Sequence, residues 1–182
     1  MTPLTSTVTV VDSSTGRALA PTVLMVRDSA CLRPLKLLYS GPTGAVAIPA
    51  LTTGTYCLQV RGLPAGYAAP PMKRIAVHPR TVFTARIAAA PKPVTGSLAV
   101  VGDQSGQRVG PATFMLRDAT CVRALRLVYG DTAGAATLTD ILPATYCLTP
   151  VRVPAGFVRP AAQSFGVTVN RPFQVSVRLP QP

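Results

Sequence analysis

The chain has 182 residues, 48% of them hydrophobic, and a formal net charge of +12 from 18 Lys and Arg against six Asp and no Glu. Such a chain can build a packed core in one domain or two, and its charge favours anionic partners without specifying a fold. Its apolar runs, such as TVLMV at 22–26 and GAVAI at 44–48, are strand-sized and far short of the ~18–20 residues of a membrane span, so no membrane insertion is expected.

The opening MTPLTSTVTVV lacks a basic start, an apolar block and a small-residue cleavage site, so no secretory signal is expected. Thr7-Val8-Thr9-Val10 alternates with the period of a strand, and SSTG then marks a turn. After Pro21 a second strand places Leu24 and Val26 on one face. Leu35 to Tyr39 keeps apolar residues at alternate positions, and Thr43-Gly44 opens the next strand. In GTYCLQV, Tyr56 and Leu58 share a face and Cys57 points to the other. PAG and the closing strand TVFTARI finish the segment.

The whole pattern then recurs without a gap at an offset of 90: Val10, Val11 and Gly16 meet Val100, Val101 and Gly106, and MVRDSACLRPLKLLYS meets MLRDATCVRALRLVYG. Leu24 and Val26 fall on Phe114 and Leu116, TYCL recurs at Thr145 to Leu148, and LPAGY meets VPAGF. Two copies are too few for a solenoid, so each must bury its own core. The expectation is one domain over 1–89, a Pro-containing linker over 90–96 and a second domain over 97–182. Turn signals every ~8–12 residues, with no long helical pattern, predict an all-β protein of two tandem sandwiches.

The residues Gly16, Gly44, Gly54-Thr55-Tyr56 with Leu58, and Pro64-Ala65-Gly66-Tyr67 carry a resemblance to the prealbumin-like domains known as collagen-adhesin B-type (SpaA-like) repeats and carboxypeptidase regulatory-like domains. The second copy offers Gly106, Gly134, Thr145-Tyr146 with Leu148, and Pro154-Ala155-Gly156-Phe157. The resemblance implies an Ig-like, prealbumin-like Greek-key sandwich and no chemistry. Many B-type repeats join a Lys of the first strand to an Asn or Asp of the last in an isopeptide bond. Here Thr7 to Val11 and Leu98 to Val101 hold no Lys, and Asn170 is matched by Arg80, so neither copy is expected to make that bond.

Cys31 and Cys57, and Cys121 and Cys147, have the same separation in each copy. Two states fit them: buried free thiols, or bridges Cys31–Cys57 and Cys121–Cys147. The bridge is the expectation, since small domains gain most from a covalent staple, and it implies a location outside the reducing cytosol. A zinc site lacks a C-x-x-C pair and has only His78 to draw on. His78 is replaced by Thr168 in the second copy, and of the six Asp only Asp28 and Asp118 recur, in R-D-[SA]-x-C turns where a carboxylate accepts backbone N–H groups. No catalytic set, phosphate loop or cofactor is therefore predicted.

The basic pairs Arg27/Arg117, Arg33/Arg123 and Lys36/Arg126 recur; 15 of the 18 cations are Arg, and a GC-rich coding bias accounts for part of them. Arg33, Lys36, Arg123 and Arg126 are the candidate contacts to an anionic partner, an acidic protein or a glycan. Specific nucleic-acid binding is not expected, because no aromatics interleave with the arginines. The expected function is a non-catalytic structural or interaction module, extracellular or particle-associated. It would be a decoration, adaptor or fibre part of an assembly such as a phage virion or contractile injection particle, or alternatively a bacterial cell-surface adhesin or carbohydrate-binding module. Intact-mass spectrometry should give the plain chain mass less the hydrogens lost to disulfides; a further loss of ammonia or water would reveal a cross-link and overturn the isopeptide argument.

Overall fold

The computed structural model describes residues 5–182; residues 1–4, the start of the segment searched for a secretory signal, lie outside it. The described residues contain strands and no helix, so none is long and apolar enough to cross a membrane. The chain divides into two compact units, residues 1–91 and 92–182. The first strand of the second unit begins at Val94, so residues 94–96, assigned to the connector from sequence, are paired in a sheet.

Unit 1 contains β1 (Ser6–Asp12), β2 (Val23–Arg27), β3 (Pro34–Tyr39), β4 (Ala45–Ile48), β5 (Gly54–Gly62), β6 (Lys73–Val77) and β7 (Thr84–Ala89). They form a three-stranded sheet, β4-β1-β7, and a four-stranded sheet, β3-β2-β5-β6. All pairs are antiparallel except β1 with β7, where the first and last strands run side by side from Thr7↔Thr84 to Asp12↔Ala89. Unit 2 repeats this topology with β8 (Val94–Gly102), β9 (Thr113–Arg117), β10 (Ala124–Tyr129), β11 (Ala135–Ile141), β12 (Thr145–Arg152), β13 (Gln163–Gly166) and β14 (Phe173–Leu179). There β8 and β14 form the parallel pair.

Side chains alternate across each strand, so every second residue enters the space between the sheets. In unit 1 these are Val8 and Val10, Leu24 and Val26, Val46 and Ile48, Leu58 and Val60, and Ile87. In unit 2, Leu98, Val100, Phe114, Leu116, Leu138, Leu148 and Val177 take matching places, Val175 is added where unit 1 has Ala85, and Val46 and Val60 become Ala136 and Pro150. The tyrosine of each TYCL motif packs against its core and ends in a hydrogen bond. The Tyr56 hydroxyl donates to the Thr52 carbonyl at 3.0 Å and that of Tyr146 to the Leu142 carbonyl at 2.9 Å, fixing the loop that feeds the strand. The apolar ring is half-buried while its polar tip is satisfied.

The two cores close differently at one end. In unit 1, Ser6 of β1 accepts a hydrogen bond from the Phe83 N–H at 3.2 Å. In unit 2 the matching residue is Gly96, and the Phe173 ring lies so close over it that no β-carbon fits. That ring stacks on Phe165 at 5.7 Å, and Phe165 meets Tyr146 at 5.9 Å, an aromatic row that fills the end of the sandwich. Placing unit 1's residue here, Gly96→Ser, should displace the ring and destabilise unit 2 by about 1–3 kcal/mol. Chemical denaturation followed by tyrosine fluorescence and far-ultraviolet circular dichroism would measure it, and an unchanged midpoint would contradict the packing described.

Candidate functional site

The turn joining β2 to β3 is built from its own sequence. In unit 1, Asp28 Oδ1 accepts the N–H groups of Leu32 and Arg33 at 2.9 and 3.2 Å. In unit 2, Asp118 Oδ1 accepts those of Val122 and Arg123 at 3.2 and 3.3 Å and the Thr120 hydroxyl at 2.8 Å. The Thr120 hydroxyl and these backbone donors hold the Asp118 carboxyl below the usual carboxylate range, against the opposing pull of desolvation. Both recurring aspartates thus make turns. Cys31 and Cys121 occupy the left-handed region at φ 64° and 60°, and they bridge to Cys57 and Cys147 with Cα–Cα distances of 5.3 Å. Each bridge ties the turn to β5 or β12 and contributes on the order of 3 kcal/mol by restricting the unfolded chain.

The recurring arginines divide into two kinds. Arg27 donates to the Leu32 carbonyl at 2.6 Å and to Gln59 at 2.9 Å, and Arg117 donates to the Val122 carbonyl at 2.6 Å, so both brace the turn. Arg33 and Arg123 are exposed on it. Lys36 and Arg126 pair with Val26 and Leu116, whose side chains are buried, and so lie on the inward parity of an edge strand. Arg126 reaches to the other sheet of the unit and donates to the Thr139 carbonyl of β11 at 2.8 Å. An inward-directed charge is a device that keeps a sheet edge from pairing with another chain. A β-bulge reinforces it: Leu35 and Leu125 are the unpaired residues at a register shift in both units.

The outer face of the same sheet has the opposite character. Leu37 and Tyr39 stand on it beside Met25 and Val23, and Leu127 and Tyr129 beside Met115 and Thr113, while Leu35 and Leu125 are exposed at the bulge. Exposure is matched between units: 42% and 41% for Leu37 and Leu127, 68% for both tyrosines, and 78% and 74% for Leu32 and Val122 on the braced turn. Alternation in Leu35 to Tyr39 signalled a strand in the sequence. It did not say which face of that strand meets the core, and only Leu38 and Val128 pack inward. Of the candidate cations, Arg33 and Arg123 are exposed on the turn at the end of this stripe, whereas Lys36 and Arg126 lie on the opposite parity of the same strand.

A second constellation concerns Asp12, which does not recur. It is buried at the end of β1 and accepts from the Ser14 N–H at 2.7 Å, the Ser14 hydroxyl, the Thr15 N–H and the Tyr67 hydroxyl at 2.8 Å. Burial alone would raise its pKa, but these donors outweigh it and bring it down to about 2 from 3.8, while burial and the bond to Asp12 raise that of Tyr67. In unit 2 the pair is replaced by Gly102 and Phe157, with the ring seated against the glycine. Loss of donor and acceptor together marks the contact as structural, and this paired replacement was the sequence signal for it. Elsewhere among the described residues, no three His, Cys, Asp or Glu side chains gather as metal ligands would. The lone His78 is exposed in the turn that leads to β7.

Because the folded pKa of Asp12 is depressed, its contribution of about 2 kcal/mol is present above pH ~4 and lost as pH falls through about 2. Hydrogen exchange in unit 1 should reveal that loss between pH 5 and pH 2, and Asp12→Asn should flatten the profile. Tyr67→Phe should cost about 2 kcal/mol at neutral pH. A pH profile unchanged in Asp12→Asn would contradict the assignment.

No family model and no curated protein matches the chain. Among solved structures, the Bacillus anthracis TIE protein is similar with a TM-score of 0.53 at 15% identity over 97% of this chain and 34% of that one, so this chain spans about a third of its length. A streptococcal ancillary pilin matches with a TM-score of 0.46 at 14% identity over 100% of this chain and 64% of that one, and BcpA, the major pilin subunit of Bacillus cereus, with 0.44 at 8% over 98% and 99%. At these identities the likeness is one of fold. Each unit has a prealbumin-like β-sandwich fold.

Proposed function

We propose that the chain is a non-catalytic protein-docking module that works outside the cytosol as part of a cell-surface structure. The observation that carries this reading is the duplicated apolar stripe. A single exposed leucine is ordinary, but the same Leu-Tyr pair beside an exposed apolar turn residue, at matched exposure in two copies that have otherwise diverged, reads as a surface kept for contact. The bridges point to an oxidising compartment.

The occupant is another protein with an apolar face bordered by acidic residues. Arg33 and Arg123 stand on the turn at the end of the stripe, with Lys36 and Arg126 on the other parity of the same edge strand, and a chain of net charge +12 repels a second copy of itself. The bulged, charged edge disfavours strand addition, so docking uses the face and not the edge. No observation favours the virion or injection-particle form of this reading over a cell-surface one.

A photo-crosslinking residue at Leu32 or Tyr39 in the full chain, expressed in its native cells, should give an adduct with one acidic partner in the envelope or extracellular fraction. The adduct should diminish with added salt and vanish in Leu37→Asp/Leu127→Asp, while a crosslinker at Thr84 on the opposite sheet gives none. Equal labelling from Thr84, or adducts unaffected by the double substitution, would sink the proposal.

A further inference from the structure

On the other sheet of unit 2, a shallow cleft of about 390 Å³ opens over β8, β11 and β14. Its polar lining comes from four directions. Thr137, Ser97 and Gln174 form one row across the sheet, paired Thr137↔Ser97 and Ser97↔Gln174. Arg108 approaches from the segment bridged to Val101, and Tyr129 and Asp131 from the end of β10 and the turn after it. The floor beneath them is alanine, at Ala99 and Ala135, so no protein side chain fills the hollow.

The groups are available. Among the described residues the side chains of Ser97, Arg108, Thr137 and Gln174 make no hydrogen bond or ion pair. Asp131 Oδ1 accepts the Ala135 N–H at 2.8 Å, which fixes the carboxylate and leaves its second oxygen free. The fold does not require this set. Unit 1 builds the same sheet with Thr7, Ala18, Gly41, Ala47 and Thr84 at the matching positions and keeps only the tyrosine, as Tyr39.

The chemistry narrows the ligand. Arg108 offers a planar donor fork, Asp131 only an acceptor, and Ser97, Thr137 and Gln174 both functions. A bare phosphate or sulfate would use Arg108 but meet the Asp131 charge and leave the remaining groups idle. An apolar ligand would strand all of them. A ring bearing neighbouring hydroxyls satisfies mixed donors and acceptors, its C–H face suits the exposed Tyr129 ring, and a carboxylate on it pairs with Arg108 in bidentate geometry. We propose that this cleft is a binding site for a carboxylated saccharide, peculiar to unit 2. It shares only Tyr129 with the docking stripe and does not depend on that reading.

The test is a titration of the isotopically labelled full chain with oligogalacturonate, followed by amide resonances, with a neutral cello-oligosaccharide and inorganic phosphate as comparisons. Saturable shifts are expected at Ser97, Thr137 and Gln174 and none at Thr7, Ala47 or Thr84. Arg108→Ala should weaken binding about tenfold or more, with Arg108→Lys intermediate; both substitutions are at an exposed position and leave the core untouched. The neutral sugar should bind more weakly than the acidic one. Equal shifts in both units, the same shifts with phosphate alone, or unaltered affinity in Arg108→Ala would overturn the proposal. Crosslinking from Tyr39 should be indifferent to Arg108→Ala, which separates this site from the docking face.

Discussion

Everything in each unit hangs on the parallel pairing of its first strand with its last. β1 lies in the middle of its sheet, and one of its two neighbours, β7, arrives only after more than seventy intervening residues; β8 and β14 repeat the arrangement. Until that seam forms, Val8 and Val10 have no sheet to complete and the inner faces of β2 and β5 have nothing to cover them. The seam consists of backbone hydrogen bonds and buried valine, leucine and isoleucine.

The covalent staple is on the opposite sheet. Each disulfide anchors the turn between the second and third strands, which Asp28 or Asp118 shapes from within and Arg27 or Arg117 braces from outside. This makes a rigid platform at the end of an otherwise ordinary edge strand. Rigid presentation lowers the ordering cost of binding, so an exposed Leu32 or Val122 on such a turn is better suited to contact than the same residue on a mobile loop. The edge carries a bulge and an inward cation that resist strand addition, while the face beside it stays apolar.

The two units show how far one backbone tolerates different solutions. Asp12 with Tyr67 becomes Gly102 with Phe157, exchanging a buried charged hydrogen bond for a ring packed on a glycine. Ser6 with Phe83 becomes Gly96 with Phe173 and an aromatic row. The buried Thr22 hydroxyl, which has no partner among the described residues, is Ala112 in unit 2. In each case the partners changed together or a polar group was dropped, as expected where an unpaired buried group costs more than a bond gains. The polar cleft of unit 2 differs in kind, because its groups satisfy nothing within the protein.

Read alone, the sequence determined the repeat, the strand alternation, the turn-making role of Asp28 and Asp118, and which face of β2 enters the core. These follow from local periodicity and turn chemistry, which act over a few residues. It could not say that Leu37 and Tyr39 face outward, because a period of two marks two faces without choosing between them. That choice was made by pairing with β2, whose buried Leu24 and Val26 stand opposite Leu38 and Lys36. Nor could it join Arg108, Asp131 and Gln174, which lie far apart in the chain and meet only because β8 pairs with β11 and β14 at once. Tertiary structure decided both surfaces, since sites are assembled across strands while sequence patterns are written along them.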